Sequence, residues 1–145
     1  MDWKSLLCEV RVRELLGGAA SSRVSNEPRR ESERDYGRAI FSTPVRRLQD
    51  KAQVFPSYPS DVVRTRLTHS QEVSSVSRDM GRSAARWLLG ENHISSFDQV
   101  QDIEAIAATC GIIHDLGNPP FGHSGESAIR MYFKTQAEHS PVIRR

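Results

Sequence analysis

Two segments of the chain place apolar side chains at the spacing of an α-helix, and this spacing constrains the fold more than any other feature. In the first segment His69, Val73, Val76 and Met80 fall at i, i+4, i+7 and i+11, which predicts a single helical face. In the second segment, residues 102–116, the same helical period places six residues on one face: Ile103, Ile106, Ala107, Cys110, Ile113 and His114. No β-alternation of useful length is present. The sequence therefore predicts an all-α fold in which His69 and His114 point toward the core.

The rest of the chain predicts shorter helices and one connection. Trp3, Leu6, Leu7 and Val10 indicate an amphipathic N-terminal helix that could dock on a partner, closed by two glycines at 17 and 18. The Gly-, Ala- and Ser-rich stretch that follows predicts a flexible connection reaching about residue 30. Residues 31–145 are expected to form a single domain, with two short helices separated at Pro44 near its start.

Composition indicates an ordered protein of the cytoplasm. Hydrophobic residues make up 37% and charged residues 26% of the chain, which is far from the signature of disorder. The longest apolar stretches are too short to cross a bilayer, and no export leader is recognised, so no membrane partner is expected. Cys8 and Cys110 are too few and too isolated for a disulfide framework.

Charge is segregated along the chain. Residues 38–86 carry nine basic and four acidic side chains, whereas residues 87–129 carry six acidic side chains and no Lys or Arg. Most of the basic residues are arginine, whose planar guanidinium binds phosphate oxygens in pairs. Charge alone favours an ordinary solvated surface that uses arginine over a phosphate-bearing partner, and the motifs described below reverse that preference.

A group of histidines and acids carries the chemical signal. His69, His114 and Asp115 offer nitrogen and oxygen ligands without thiolate, a set suited to Mn²⁺, Mg²⁺, Fe²⁺, Co²⁺ or Zn²⁺. Each histidine taken alone is more often a structural residue, and a His-Asp dipeptide often arises by chance. The string from Gly111 to Glu126 is more specific, because a Gly- and Pro-containing loop follows the pair and delivers His123 and Glu126.

Three segments together resemble the N-terminal part of the deoxyguanosine triphosphate triphosphohydrolase family, a branch of the HD-domain phosphohydrolases. They are the run from Thr43 to Phe55, the run from Arg64 to Val73, and the string from His114 to Glu126. The resemblance spans about residues 36–133, roughly two thirds of the chain, and the first thirty residues are expected to fall outside it. Residues 31–145 would then be the N-terminal part of an incomplete HD phosphohydrolase domain.

The resemblance implies a role for each matching position. His69, His114 and Asp115 match three of four metal ligands, with Mn²⁺ or Mg²⁺ expected, and His123 with Glu126 matches the catalytic acid-base pair. The implied substrate-binding residues are Gln53, Val54, Arg46, Arg64 and Arg66. The implied reaction is attack of water on the α-phosphorus of a deoxynucleoside triphosphate, dGTP above all, which gives the deoxynucleoside and triphosphate.

The resemblance also implies a partner set and leaves alternatives. Members of the resembled family form homo-oligomers, often hexamers, and respond to single-stranded DNA, so the resemblance implies the same partners for this chain. Their fourth ligand is an Asp on a downstream helix that has no counterpart before Arg145, so we expect weak metal binding and poor turnover from this chain alone. The alternatives are another HD-type nucleotide phosphohydrolase, and a catalytically silent or regulatory subunit.

Overall fold

A computed structural model describes residues 3–8, 10, 12–18, 27–51, 63–119 and 121–139. The chain divides into two compact units, residues 1–114 and residues 115–145. The described residues form helices and contain no strand, which confirms the all-α fold class. The helices are α1 (Trp3–Leu6), α2 (Val12–Leu15), α3 (Glu31–Phe41), α4 (Thr43–Arg46), a 3₁₀ turn (Arg47–Asp50), α5 (Arg66–Gly90), α6 (Phe97–Ile113) and α7 (Gly122–His139).

Capping residues set where the two long helices begin. The Thr65 hydroxyl accepts a hydrogen bond from the Thr68 N–H at 3.2 Å, and the Ser96 hydroxyl accepts one from the Gln99 N–H at 3.3 Å. Each bond satisfies an N–H that has no partner inside its helix. Because Ser96 provides this cap, α6 begins at Phe97, five residues before the segment 102–116 in which the apolar stripe predicted a helix.

Helices α5 and α6 pack closely because small residues line their contact. A Cβ added at Gly111 would lie 2.6 Å from the Ser74 Cα, and one added at Gly81 would lie 2.7 Å from the Ala107 Cβ. The Ser74 hydroxyl also donates to the Ala108 carbonyl at 2.8 Å, so its polar atom is satisfied inside the contact. The backbones of α5 and α6 therefore approach each other at these positions.

This packing corrects the predicted buried faces. Val76 is 60% exposed and Met80 68% exposed, so the apolar stripe of α5 does not face the core of this unit. On α6 the exposed side includes Ile106, Cys110 and His114, and its buried residues are Val100, Asp102, Ala105, Ala108, Gly111 and Ile112. The prediction failed because close helix contact favours small side chains over large apolar ones.

The N-terminal segment also differs from its prediction. Two four-residue helices, α1 and α2, replace the single amphipathic helix, and β-branched Val10 lies between them outside either helix. Trp3 and Leu7 pack against the buried cluster of Ala85, Leu88, Ile94 and Val100. These two side chains thus contribute to the core of their own unit.

Two helices occur near residue 40 as predicted, but their junction is at Ser42 and not at the predicted Pro44. Pro44 lies in the first turn of α4, where the missing N–H would have had no helical partner. The predicted division of the chain near residue 30 stays a prediction.

A carboxylate from α6 anchors the start of α3. Asp102 is buried at 4% exposure and accepts hydrogen bonds from the Arg30 guanidinium at 2.8 and 2.6 Å. The Ser32 hydroxyl donates to the same carboxylate at 2.7 Å. The buried charge is therefore paired and hydrogen-bonded, as burial requires.

A second pair joins α5 to α6 and predicts a pH effect. Arg82 donates to the Glu104 carboxylate at 3.0 and 2.5 Å, and this bond lowers the pKa of Glu104 below its ordinary 4.5. A carboxylate with a lowered folded-state pKa stabilises the fold at neutral pH, and this stabilisation is lost as pH falls through that pKa. We expect the midpoint of thermal unfolding, measured by circular dichroism, to fall less between pH 7 and acidic pH in Arg82→Gln than in the unchanged protein. Equal losses in both proteins would contradict this.

Candidate functional site

The two predicted histidine ligands of the first unit lie side by side. His69 is the fourth residue of α5 and half-buried, and His114 directly follows the last residue of α6. Their ring centroids are 5.3 Å apart, with the ring planes at 68°. The close contact of α5 with α6 at Ser74 and Gly111, five residues after His69 and three before His114, brings the two rings together.

A hydrogen bond to the backbone fixes the orientation of His114. Its Nδ1 lies 2.7 Å from the Gly111 carbonyl oxygen, which accepts only if Nδ1 carries the proton. Nε2 is then left with its lone pair, the arrangement that metal-binding histidines commonly adopt. His114 is exposed, so the prediction that it points into the core is wrong.

The pair has the chemistry and spacing to share a divalent cation. Two imidazoles that each give one nitrogen at about 2.1 Å to a common ion have ring centroids roughly 5 Å apart, close to the separation seen here. The His69 ring makes no hydrogen bond to any residue that the structure describes. Within those same residues, no group of three or more His, Cys, Asp or Glu side chains could hold a metal ion.

Asp115, the third predicted ligand, opens the second unit. It is buried at 7% exposure and accepts a hydrogen bond from the Asn118 side chain. Its assignment as a ligand stays a prediction. Two acidic residues of α6, Asp98 and Asp102, lie against Arg30, so Asp102 in particular is a structural residue.

The predicted acid-base pair meets in the first turn of α7. His123 Nδ1 lies 3.4 Å from Glu126 Oε2, near the long end of hydrogen-bond distances. Both side chains are exposed, His123 completely, and the other Glu126 oxygen accepts from Arg130 at 3.4 Å. The i, i+3 spacing is sufficient to bring them together on a helix.

Three of the five predicted substrate residues, all arginines, lie among the described residues. Gln53 and Val54 lie outside the described residues. Arg46 is exposed at the end of α4, and Arg64 forms an ion pair with Glu72 at 3.0 Å. Arg66 is half-buried at the start of α5, where its backbone N–H donates to the Lys51 carbonyl at 2.9 Å.

Two supporting residues were missed by the sequence analysis. Gly111 provides the carbonyl that orients His114, and Asn118 donates to Asp115. Each lies three residues from its partner, inside the same Gly111 to Glu126 string, so local spacing could have identified both.

The model of the HD domain matches residues 66–145, more than half of the chain. The chain belongs to the HD-domain family. The match begins at the first residue of α5 and includes both histidines of the pair, so the paired side chains belong to the HD region. Four of the predicted substrate residues precede the HD region: Arg46, Gln53, Val54 and Arg64.

Individual relatives extend the similarity beyond the HD region. A deoxyguanosinetriphosphate triphosphohydrolase-like protein of Listeria monocytogenes is 45% identical over 136 residues, covering 92% of this chain and 29% of the relative. One from Synechocystis is 38% identical over 134 residues, with the same coverage. The deoxyguanosinetriphosphate triphosphohydrolase of Yersinia enterocolitica is 39% identical over 133 residues, covering 90% of this chain and 26% of the relative.

These relatives confirm the resemblance drawn from the motifs and widen it. Because the similarity covers 92% of the chain, it includes part of the first thirty residues, which were expected to fall outside it. The chain spans less than a third of the length of the curated relatives it matches. Among the described helices, none is long and apolar enough to cross a membrane.

Proposed function

We propose that this chain carries the metal-binding and acid-base residues of a deoxynucleoside triphosphate triphosphohydrolase, with dGTP as substrate. The products would be the deoxynucleoside and intact triphosphate. The observation that carries the proposal is the His69–His114 pair, with His114 oriented by the Gly111 carbonyl. The names of the relatives support the choice of substrate.

His69, His114 and Asp115 would hold a divalent ion, with Mn²⁺ or Mg²⁺ as the expected metal. Such an ion polarises a phosphoryl oxygen and lowers the pKa of a nearby water molecule. The Gly111 carbonyl keeps the proton of His114 on Nδ1, and the Asn118 amide holds one oxygen of Asp115. These two hydrogen bonds support the proposal for His114 and Asp115, because partners of this kind orient metal ligands before binding.

His123 and Glu126 would move a proton at the leaving oxygen or at the attacking water. With Glu126 accepting from Nδ1, the proton of neutral His123 stays on that nitrogen, so Nε2 is free to exchange a proton with solvent or substrate. The complete exposure of the His123 ring leaves Nε2 reachable by water.

The remaining residues would bind the substrate. Arg46, Arg64 and Arg66 carry guanidinium groups that suit phosphate oxygens, and Gln53 with Val54 would contact the sugar and base. The ion pair of Arg64 with Glu72 would have to open for that arginine to reach a phosphate.

Metal binding gives the first test of the site. We expect His114→Ala to weaken Mn²⁺ binding by at least about tenfold, because removing even a supporting partner of a ligand costs 10- to 100-fold. Isothermal titration of the purified chain with MnCl₂ measures this. The matched control is His93→Ala, because His93 is exposed and packs beside Trp87, with 6.1 Å between the two ring centroids. An equal loss of Mn²⁺ affinity in both variants, or no loss in either, would show that the His69–His114 pair does not bind the metal.

Product analysis tests the reaction itself. With dGTP and Mn²⁺, ³¹P NMR should show inorganic triphosphate appearing, and Asp115→Ala and His123→Ala should each abolish it. Pyrophosphate or single phosphate as the product would assign the chain to another class of HD phosphohydrolase. The same assay with dATP, dCTP and dTTP measures the preference for dGTP.

A catalytically silent or regulatory subunit is the second candidate. It is favoured by the finding that no three potential ligands are grouped among the described residues. Manganese binding that depends on His114, without any release of triphosphate from dGTP, would support it. Homo-oligomer formation, a response to single-stranded DNA and a cytoplasmic location stay predictions.

A further inference from the structure

A cavity lies in the first unit, between α3, α5 and α6. Its volume is about 440 Å³, within the range of small-molecule sites. Neither His69 nor His114 lines it, so it is separate from the candidate metal site. Its lining includes three arginines, two glutamates and two aromatic residues.

The arginines form a row along α5. Arg78, Arg82 and Arg86 recur every fourth residue, which places them about one helical turn, or 6 Å, apart on one face. The row gives the cavity three positive charges, against the two negative charges of Glu33 and Glu104.

Both carboxylates are already engaged by groups of the protein. Glu104 receives both of its short hydrogen bonds from Arg82, and Glu33 accepts from the Arg30 backbone N–H at 2.9 Å. The Arg78 guanidinium lies over the Tyr36 ring, 4.9 Å from its centroid, and Arg86 is exposed with no hydrogen bond to any described residue. Arg78 and Arg86 therefore keep donors available for an anion from solution.

An aromatic ring completes the lining. Phe97, the first residue of α6, is 57% exposed although it borders the cavity. An exposed aromatic face beside guanidinium groups suits a ligand that has a planar ring as well as a negative charge. Tyr36 on the α3 side is held by the contact with Arg78.

We propose that this cavity binds a small phosphate-bearing molecule with a planar ring, such as a nucleoside monophosphate. Arg78 and Arg86 bind the phosphate and Phe97 stacks on the ring. The excess of one positive charge in the lining suits a ligand of low negative charge better than a polyphosphate. The site is independent of the proposed hydrolase activity, because it uses neither the metal-binding histidines nor the His123–Glu126 pair.

The test is isothermal titration of the 145-residue chain with GMP, in the presence of EDTA so that no metal site takes part. Arg86→Gln and Phe97→Ala should each weaken GMP binding by at least fivefold. Arg47→Gln, which removes the same charge from an exposed position outside the cavity, should bind GMP as the unchanged chain does. Circular dichroism of each variant establishes that it is folded, and both altered side chains lie at the surface.

Three results would overturn the proposal. The first is absence of GMP binding to the unchanged chain, and the second is equal weakening by Arg47→Gln and Arg86→Gln. The third is binding of a single-stranded oligonucleotide more tightly than GMP, with a steep loss in salt, because that marks a strand-binding surface instead of a small-ligand cavity. Guanosine and inorganic phosphate, titrated separately, should each bind more weakly than GMP if ring and phosphate both contribute.

Discussion

Gly111→Ala is expected to lower the free energy of unfolding by about 2 to 3 kcal/mol, the cost of overpacking a close contact. The new Cβ would meet the Ser74 Cα at 2.6 Å, the Ser74 nitrogen at 2.9 Å and the Val73 oxygen at 3.0 Å. All three are backbone atoms, so no side chain can move aside and α6 must shift from α5. Urea unfolding followed by circular dichroism measures the loss.

Gly37→Ala is the matched control. Gly37 lies within α3, and an added Cβ there meets no atom within 4 Å. The same substitution should therefore raise stability by about 0.5 to 1 kcal/mol through helix propensity. If both variants changed stability in the same direction, the close contact at Gly111 would not control the packing of α5 with α6.

The Gly111 variant should also weaken metal binding. The Gly111 carbonyl orients His114, and the separation of α5 from α6 sets the distance from His114 to His69. A shift of α6 would disturb both. A Gly111→Ala protein that remains folded yet binds Mn²⁺ normally would show that the pair tolerates movement between these helices.

Arg30→Gln is expected to destabilise the fold by about 3 kcal/mol, as removal of one partner from a buried ion pair does. Asp102 is 4% exposed, and without the guanidinium its charge would keep only the Ser32 hydroxyl among the hydrogen bonds described above. Thermal unfolding at neutral pH, monitored by circular dichroism, measures the effect. The double variant Arg30→Gln with Asp102→Asn should recover part of the loss, because it removes the uncompensated charge.

Arg29→Gln is the control for this pair. Arg29 forms an equivalent two-bond contact with Glu27, at 2.7 and 3.0 Å, but on an exposed surface. Solvent screens such pairs strongly, so we expect no measurable change in stability. Equal destabilisation by Arg29→Gln and Arg30→Gln would mean that burial of Asp102 does not decide the energetics.

The local features of the chain could be predicted from sequence because they depend on near neighbours. Helix periodicity gave the all-α class, and the i, i+3 spacing of His123 and Glu126 is enough to bring their side chains together. The motif string identified the HD relationship, which the family match confirms. The exact start of α6 was missed although Ser96 is a common capping residue, since the apolar stripe was given more weight.

The buried faces of α5 and α6 could not be predicted in the same way. Apolar periodicity favoured Val76 and Met80 as core residues, yet the contact uses Ser74, Gly81 and Gly111. Small side chains carry little hydrophobic signal in a sequence, but they permit the backbone approach that close helix packing requires. Which face is buried therefore depends on the partner helix.

The sequence by itself determined the helical class and the HD relationship, and it supplied the candidate residues for metal binding and proton transfer, because each depends on residue type and short spacing. Only the tertiary structure decided that His69 and His114 meet, although 45 residues separate them, since their 5.3 Å distance depends on how closely α5 approaches α6. It also decided that Asp102 is structural, because the Arg30 partner comes from 72 residues away. Contacts between such distant residues are set by packing, which local sequence patterns do not record.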